Sequence, residues 1–199
     1  MRIRSLAILL LVGAMPAMAA DDLELSCEGP FGPTGTHESI VAHFGAGNVV
    51  FDQIAGDEGT YPEATVIFPT DPARRLAIVW RDIDGQQTPN YIFVPEDSRW
   101  SLSGLRTNMT IAEVEALNGR PFTLGGFDEI DRGAIQDFEG GKLSLTAGAC
   151  RAHVEFTHPY FGTPISLDDP VSGQGEYSST DPTFRALGAK VRSIVLMYD

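Results

Sequence analysis

Long apolar runs and basic residues are scarce in this chain of 199 residues. Beyond residue 20, no apolar stretch approaches the roughly 20 residues that a membrane-spanning helix needs, so we expect no membrane insertion. Lysine and arginine together number 14 against 27 acidic residues, which gives a formal charge of −13. Because so acidic a surface repels phosphate backbones, we expect no binding to nucleic acid, and long-range attraction favours basic partners.

Familiar catalytic and metal-binding patterns are also missing. None of the histidines, His37, His43, His153 and His158, stands at a spacing typical of zinc ligands. The serine-nucleophile motifs G-x-S-x-G and S-x-x-K do not occur. The sequence therefore predicts neither a metal nor a cofactor, and it singles out no catalytic residue. Pairs of acidic residues are too numerous to test, so a hydrolase that uses two carboxylates stays an open alternative.

The first 19 residues have the three parts of a cleavable signal peptide. Arg2 and Arg4 form a basic start, Leu6 to Val12 is an apolar run, and Ala17-Met18-Ala19 is a small-x-small cleavage site. No cysteine follows directly after the apolar run, so no lipid anchor is expected. The mature protein is predicted to be free in the periplasm or outside the cell.

The cysteines, Cys27 and Cys150, would then share an oxidising compartment. One disulfide between them is the simplest expectation. A reactive thiol is the alternative. It is disfavoured because neither residue has a neighbouring histidine or cysteine that would lower the thiol pKa.

Two segments, residues 36–45 and 110–119, have a common pattern: threonine, a β-branched apolar residue four positions later and glycine nine positions later. Threonine as N-cap and glycine as the terminating residue predict two short helices, each with one buried apolar face. Strand-like segments follow each helix. The order suggests a tandem duplication, with one helix-plus-sheet module over residues 20–104 and a second over 105–199. A single compact unit formed by both is the alternative.

The expected fold class is α+β, with antiparallel sheets that are each covered by short helices. The predicted strands are residues 48–54, 64–68, 76–80, 91–94, 121–127, 133–138, 142–145 and 151–156. Asp84-Gly85 indicates a hairpin turn. Toward the C-terminus, Asp181-Pro182 predicts the start of a third helix that ends at Gly188.

Two C-terminal segments have distinct compositions. Residues 191–198 form a nearly continuous apolar run, which is typical of a strand buried on both faces. Residues 159–179 are rich in glycine, proline, serine and aspartate and predict a long exposed loop of the kind that often carries function.

Aromatic residues are the remaining candidates for a binding site. Trp80, Tyr91, Phe93 and Trp100 lie on or beside neighbouring predicted strands. Together they would form an aromatic patch on one sheet face, suited to a protein or glycan partner. Burial of these side chains in the core is the alternative, which the alternation of Leu76, Ile78 and Trp80 favours.

Residues 109–121, M-T-I-A-E-V-E-A-L-N-G-R-P, resemble the G-M-T-x-x-E-V-x-x-L-x-G-x-P signature of small exported bacterial modules. Modules of this kind occur in the β-lactamase inhibitor protein and in the small lipoprotein of the outer-membrane β-barrel assembly machinery. F-G-A-G-N-V and L-N-G-R-P-F-T-L-G-G-F-D resemble segments of an uncharacterised family of secreted bacterial proteins. The resemblance implies helices laid on an antiparallel sheet. It carries over no site residue, because the shared positions are capping and packing positions.

These observations favour a non-catalytic binding module that holds another exported protein, as an inhibitor does. A structural or assembly factor of the cell envelope is one alternative, and the carboxylate hydrolase is the other. The sequence makes no prediction about the oligomeric state.

Overall fold

The computed structural model describes residues 23–56, 59–128, 131–159 and 175–199. The α-helices are α1 (His37–Phe44), α2 (Ile111–Asn118) and α3 (Pro182–Ala186). The strands are β1 (Val49–Gln53), β2 (Glu63–Ile67), β3 (Leu76–Asp82), β4 (Gln87–Val94), β5 (Ser101–Leu102), β6 (Leu105–Arg106), β7 (Thr123–Gly125), β8 (Ile135–Asp137), β9 (Thr146–Ala147), β10 (Cys150–Thr157), β11 (Glu176–Ser178) and β12 (Lys190–Tyr198). The predicted signal peptide lies outside the described residues.

Antiparallel pairing joins most strands into one seven-stranded sheet with the order β1-β2-β3-β4-β12-β10-β9. Smaller sheets are formed by β11-β7-β8 and by the β5-β6 hairpin. The large sheet contains strands from both predicted modules, because β12 pairs with β4 through Phe93 and Val195 and their neighbours. Antiparallel sheets with short helices confirm the α+β class, whereas the duplication stays a prediction.

Local capping chemistry sets both predicted helices. The Thr36 hydroxyl accepts the backbone N–H of Ser39 at 3.0 Å, and the Thr110 hydroxyl accepts that of Glu113 at 3.2 Å. Each helix ends at a glycine with positive φ, 86° at Gly45 and 80° at Gly119. Both helix predictions are therefore confirmed.

The main core lies on one side of the seven-stranded sheet, which we call its inner face. Leu76, Ile78 and Trp80 of β3 point into this core, and α1, α2 and α3 bury their apolar residues against the same cluster. Ala77 and Val79 belong to a separate, smaller cluster. Because successive side chains of a strand point to opposite faces, these two residues mark the outer face of the sheet.

The structure corrects the prediction for residues 191–198. This strand is central in the sheet, yet only its inner side chains are buried throughout, and Met197 is 41% exposed. On its outer side, Ser193, Val195 and Met197 line a cleft rather than a second core.

Part of the predicted loop over residues 159–179 is a strand, Glu176–Ser178. Residues 160–174 lie outside the described residues, but β11 pairs with β7 within the predicted loop. Ser179 is fully buried, and its hydroxyl accepts the backbone N–H of Phe122 at 3.0 Å.

A disulfide between Cys27 and Cys150 ties the N-terminal segment to β10, as predicted. The segment also pairs with β5, since Leu25 N donates to Ser101 O at 2.7 Å and Ser101 N donates to Leu23 O at 2.8 Å. A disulfide fits a location outside the reducing cytoplasm. Within the described ranges, no helix has the length and apolar character that crossing a membrane requires.

Helix α1 is held to the sheet by a chain of hydrogen bonds. Trp80 Nε1 donates to the buried Thr65 hydroxyl at 2.8 Å, and the same hydroxyl lies 2.8 Å from His37 Nδ1. Because the indole N–H occupies only one acceptor site of the Thr65 hydroxyl, the hydroxyl proton is available to a neutral His37 ring at Nδ1. Burial lowers the pKa of His37 below its ordinary value of 6.5, which also favours the neutral ring.

Removal of the disulfide should destabilise the fold strongly. Cys27 and Cys150 are 123 positions apart, so their bond restricts a long loop of the unfolded chain. For the double variant Cys27→Ala/Cys150→Ala we expect the free energy of unfolding to fall by about 4–5 kcal/mol in urea titrations. Reductant should destabilise the wild type and leave the variant unaffected. A loss below about 1 kcal/mol would contradict the assignment.

Acidification should loosen the attachment of α1. As the pH falls from 7 to 5, the unfolded chain binds a proton at His37 before the folded protein does, so the free energy of unfolding should decrease. The variant His37→Asn keeps an acceptor near Thr65 and does not titrate, so its decrease should be smaller. The matched control His43→Asn changes an exposed histidine of the same helix and should keep the wild-type slope. Equal slopes for His37→Asn and wild type would refute the neutral-ring assignment.

Candidate functional site: a cleft on the outer sheet face

The outer face of the seven-stranded sheet is covered unevenly. Over β2 and β3, the side chain of Ile54 packs on Ala64, Val66, Ala77 and Val79 in the smaller apolar cluster. No helix in the described part of the chain packs on this face. Over β4, β12 and β10 the surface forms a cleft of about 870 Å³.

The floor of the cleft is apolar and is made by two paired strands. Phe93 of β4 pairs with Val195 of β12, and Tyr91 pairs with Met197. Their neighbours in sequence, such as Ile92 and Leu196, point into the main core. An antiparallel sheet with a solvated face usually alternates apolar and polar residues, so four apolar residues together on the outer face need another explanation.

The opposite side of the cleft is charged and centres on Glu155 of β10. Its carboxylate lies 3.2 Å from His153 Nε2 and 3.6 Å from Arg132 Nε, and it accepts the Ser193 hydroxyl at 3.4 Å. The Glu155 side chain is only 14% exposed. These partners orient the carboxylate, and the carboxylate in turn fixes the positions of His153 and Arg132.

Opposing effects set the protonation of Glu155. Burial raises the pKa of its carboxyl group, whereas the hydrogen bond from His153 and the positive charges of Arg132 and Arg192 lower it. The result is a pKa below the ordinary value of 4.5, so the group is ionised at neutral pH.

Arg132 reaches the cleft because its loop docks on β10. The backbone N–H of Phe156 donates to Gly133 O at 3.2 Å, and Ala134 forms an isolated bridge with Glu155. Gly133 has a φ of 66°, and a Cβ atom there would lie 2.4 Å from the ring of Phe127. Any other residue at this position would force the loop to move, and Arg132 with it.

A second hollow of about 460 Å³ adjoins the cleft at the N-terminal end of β12. Glu96 and Arg192 line both spaces, and Lys190 and Asn108 line only the second. The two spaces therefore adjoin at Glu96 and Arg192. The lining includes apolar Met197 in the first space and Lys190 in the second.

The aromatic residues proposed from sequence do not lie together. Tyr91 and Phe93 are in the floor of the cleft. Trp80 and Trp100 are each 1% exposed and belong to the main core, where Trp100 Nε1 donates to Arg74 O at 2.8 Å. For the two tryptophans, the alternative of burial is the one that the structure shows.

Sequence reasoning missed most of the cleft. Val195, Met197, Glu155, Arg132 and Arg192 were not proposed as binding residues. The segment Arg151-Ala-His153-Val-Glu155 alternates polar and apolar residues, which is the one available signal for a partly exposed face. This alternation does not indicate that the face adjoins β12 and, beyond it, β4.

Glu155→Gln should lower the free energy of unfolding at pH 7 by about 1–3 kcal/mol, because Arg132 and His153 lose a charged acceptor. The difference from wild type should shrink below pH 4.5, since the Glu155 carboxylate contributes stability only while it is ionised and its pKa is lowered in the folded protein. The control Glu96→Gln alters an exposed carboxylate of the same cleft and should change stability by less than about 0.5 kcal/mol. A pH-independent effect of Glu155→Gln would argue against the charged network.

Two further findings bear on the chemistry of the site. The described residues include no group of three or more histidine, cysteine, aspartate or glutamate side chains that could hold a metal ion. Comparisons of the chain with models of protein families, with curated proteins and with solved structures found no match.

Proposed function

We propose that this protein is an exported binding module that holds a segment of another exported protein in the cleft on its outer sheet face. The apolar floor formed by Tyr91, Phe93, Val195 and Met197 is the observation that carries the proposal. Contact with a partner would remove this surface from water at a gain of about 25 cal/mol per Å² of apolar area. The proposed export and the helix-on-sheet signature are consistent with such a role.

The shape of the site favours an extended chain over a compact ligand. The cleft lies along β12, and the second hollow adjoins it at Glu96 and Arg192, which line both. Partners of this kind bind by placing a few side chains in a preformed apolar groove with a polar rim. The floor lies on central strands of the sheet, so it needs little rearrangement to accept them.

A hydrolase based on paired carboxylates fits the cleft less well. Glu96 and Glu155 both line it, and a general acid of this kind needs a raised pKa. The pKa of Glu155 is lowered instead, because His153 and Arg132 stabilise the ionised form more than burial opposes it. Glu96 would then have to be the acid, and its side chain is exposed to solvent.

The proposal is tested by placing a charge in the floor. Met197→Lys should weaken partner binding at least about tenfold, because the ammonium group would be desolvated against apolar side chains. The matched control is Ile83→Lys in the β3–β4 turn, since Ile83 is 44% exposed and Met197 is 41% exposed. Proteins retained by the wild type from periplasmic extract and culture medium would be identified and purified, and their affinities for the three proteins compared by calorimetry.

Support requires a partner that binds the wild type and Ile83→Lys alike and is lost from Met197→Lys. A partner that binds all three with equal affinity would place recognition elsewhere and refute the proposal. If every retained protein binds Met197→Lys as well as it binds the wild type, or if none is retained, the proposal is refuted as well.

A further inference from the structure

The floor of the cleft contains one side chain that can be modified chemically without disturbing the core. Met197 is 41% exposed, and its side chain lines the cleft. In the sheet it pairs with Tyr91 of β4 on one side and with Arg151 of β10 on the other. Its chain neighbours Leu196 and Tyr198 are buried in the main core, so a change in the Met197 side chain acts on the outer face.

Methionine sulfur is the group of this surface that peroxides oxidise most readily. Both cysteines of the chain are already joined in the disulfide, and both tryptophans are buried. Beyond the predicted signal peptide, the only methionines are Met109 and Met197. A mild oxidant therefore has two sulfur atoms to attack.

The environments of these two sulfur atoms differ. Met109 lies just before α2 and is partly buried against the main core. Its Sδ accepts the backbone N–H of Arg106 at 3.3 Å, which occupies a lone pair of the kind that attacks an oxidant. Met197 is the more exposed of the two, so we expect it to react first.

Resting on the proposed function, we propose that Met197 is an oxidation switch of the cleft: a peroxide converts it to methionine sulfoxide, and the sulfoxide weakens binding of the partner segment. The sulfur lone pair attacks one peroxide oxygen, so that an S–O bond forms and the O–O bond breaks. With hydrogen peroxide, the proton of the transferred oxygen passes to the leaving oxygen, which departs as water. Sulfur loses two electrons, and the peroxide gains them.

The sulfoxide changes the floor in a way that opposes apolar docking. It replaces a flexible apolar side chain by a polar one whose oxygen is hydrated. An apolar side chain that docks against Met197 would remove this water without replacing its hydrogen bonds, which costs free energy. The same modification at Met109 would instead disturb packing against the main core.

The first measurement asks where the protein is oxidised. The full protein is treated with hydrogen peroxide, and both methionines are followed by peptide mass spectrometry. Met197 should be converted at least about threefold faster than Met109. Protein oxidised at Met197 alone should keep the urea midpoint of the untreated protein. Equal rates at the two methionines, or a lowered midpoint, would overturn the assignment.

The second measurement asks whether oxidation controls the cleft. The probe is acetylated and amidated Gly-Phe-Gly-Phe-Gly, whose two aromatic side chains point the same way in an extended chain. Its dissociation constant is measured from NMR shifts of the Phe93 and Val195 amides before and after peroxide treatment. Oxidation should raise this constant roughly three- to tenfold. Treatment with the two methionine sulfoxide reductases, one for each sulfoxide epimer, should reverse the change.

Two variants assign the effect to one sulfur atom. The affinity of Met197→Leu, compared with itself before and after peroxide, should stay constant because no sulfur is left in the floor. The matched control Met109→Leu should lose affinity on peroxide treatment as the wild type does. A loss of affinity in peroxide-treated Met197→Leu would trace the effect to another residue and refute the switch.

The outcomes distinguish this inference from the proposed function. If the peptide binds reduced and oxidised protein equally, the switch is wrong while apolar docking stands. If the peptide binds neither form, oxidation has no docking to control in the cleft and the inference falls, whereas the proposed function is still decided by the partner's response to Met197→Lys.

Discussion

Strand β12 lies between β4 and β10; it pairs with β10 along most of its length and with β4 from Ile194 to Met197. Without the hydrogen bonds that β12 makes to β4 and β10, the four-stranded meander β1–β4 and the pair β9–β10 would be separate sheets with exposed edges. Insertion of the last strand of the chain closes this gap, so the core cannot be complete until residues distant in sequence have paired. The cleft floor lies on the same seam, because Phe93 and Val195 are cross-strand neighbours.

The two faces of the sheet have different roles as a result of where the helices lie. The helices α1, α2 and α3 all bury their apolar residues on the inner face, and the N-terminal segment is fixed there through Cys27 and Phe31. Tyr198 at the end of β12 donates a hydrogen bond to the carbonyl of Phe31. The proposed binding cleft lies on the other face, over β4, β12 and β10, away from these three helices.

Features set by nearby residues could be predicted from sequence, and features set by strand order could not. Thr110, Glu113 and Gly119 act within one helix, so their capping roles follow directly from their spacing. The apolar run at residues 191–198 correctly indicated a central strand. It did not indicate that the outer side chains of this strand are partly exposed, because their exposure depends on what covers the outer face. Arg132 and Glu155 meet only through the docking of a loop on β10, for which the sequence has no local signal.

The alternation of side chains along the strands separates the proposed binding surface from the residues of the core. In β4, Ile92 and Val94 are fully buried in the core while Phe93 between them points to the cleft, and Val195 has the same position between Ile194 and Leu196. The outer residues can therefore vary with a partner at little cost to the core. At the same time the buried neighbours hold the backbone of the floor in place. A floor that is rigid before binding loses little conformational entropy when a partner docks, and this favours affinity even for a cleft of modest area.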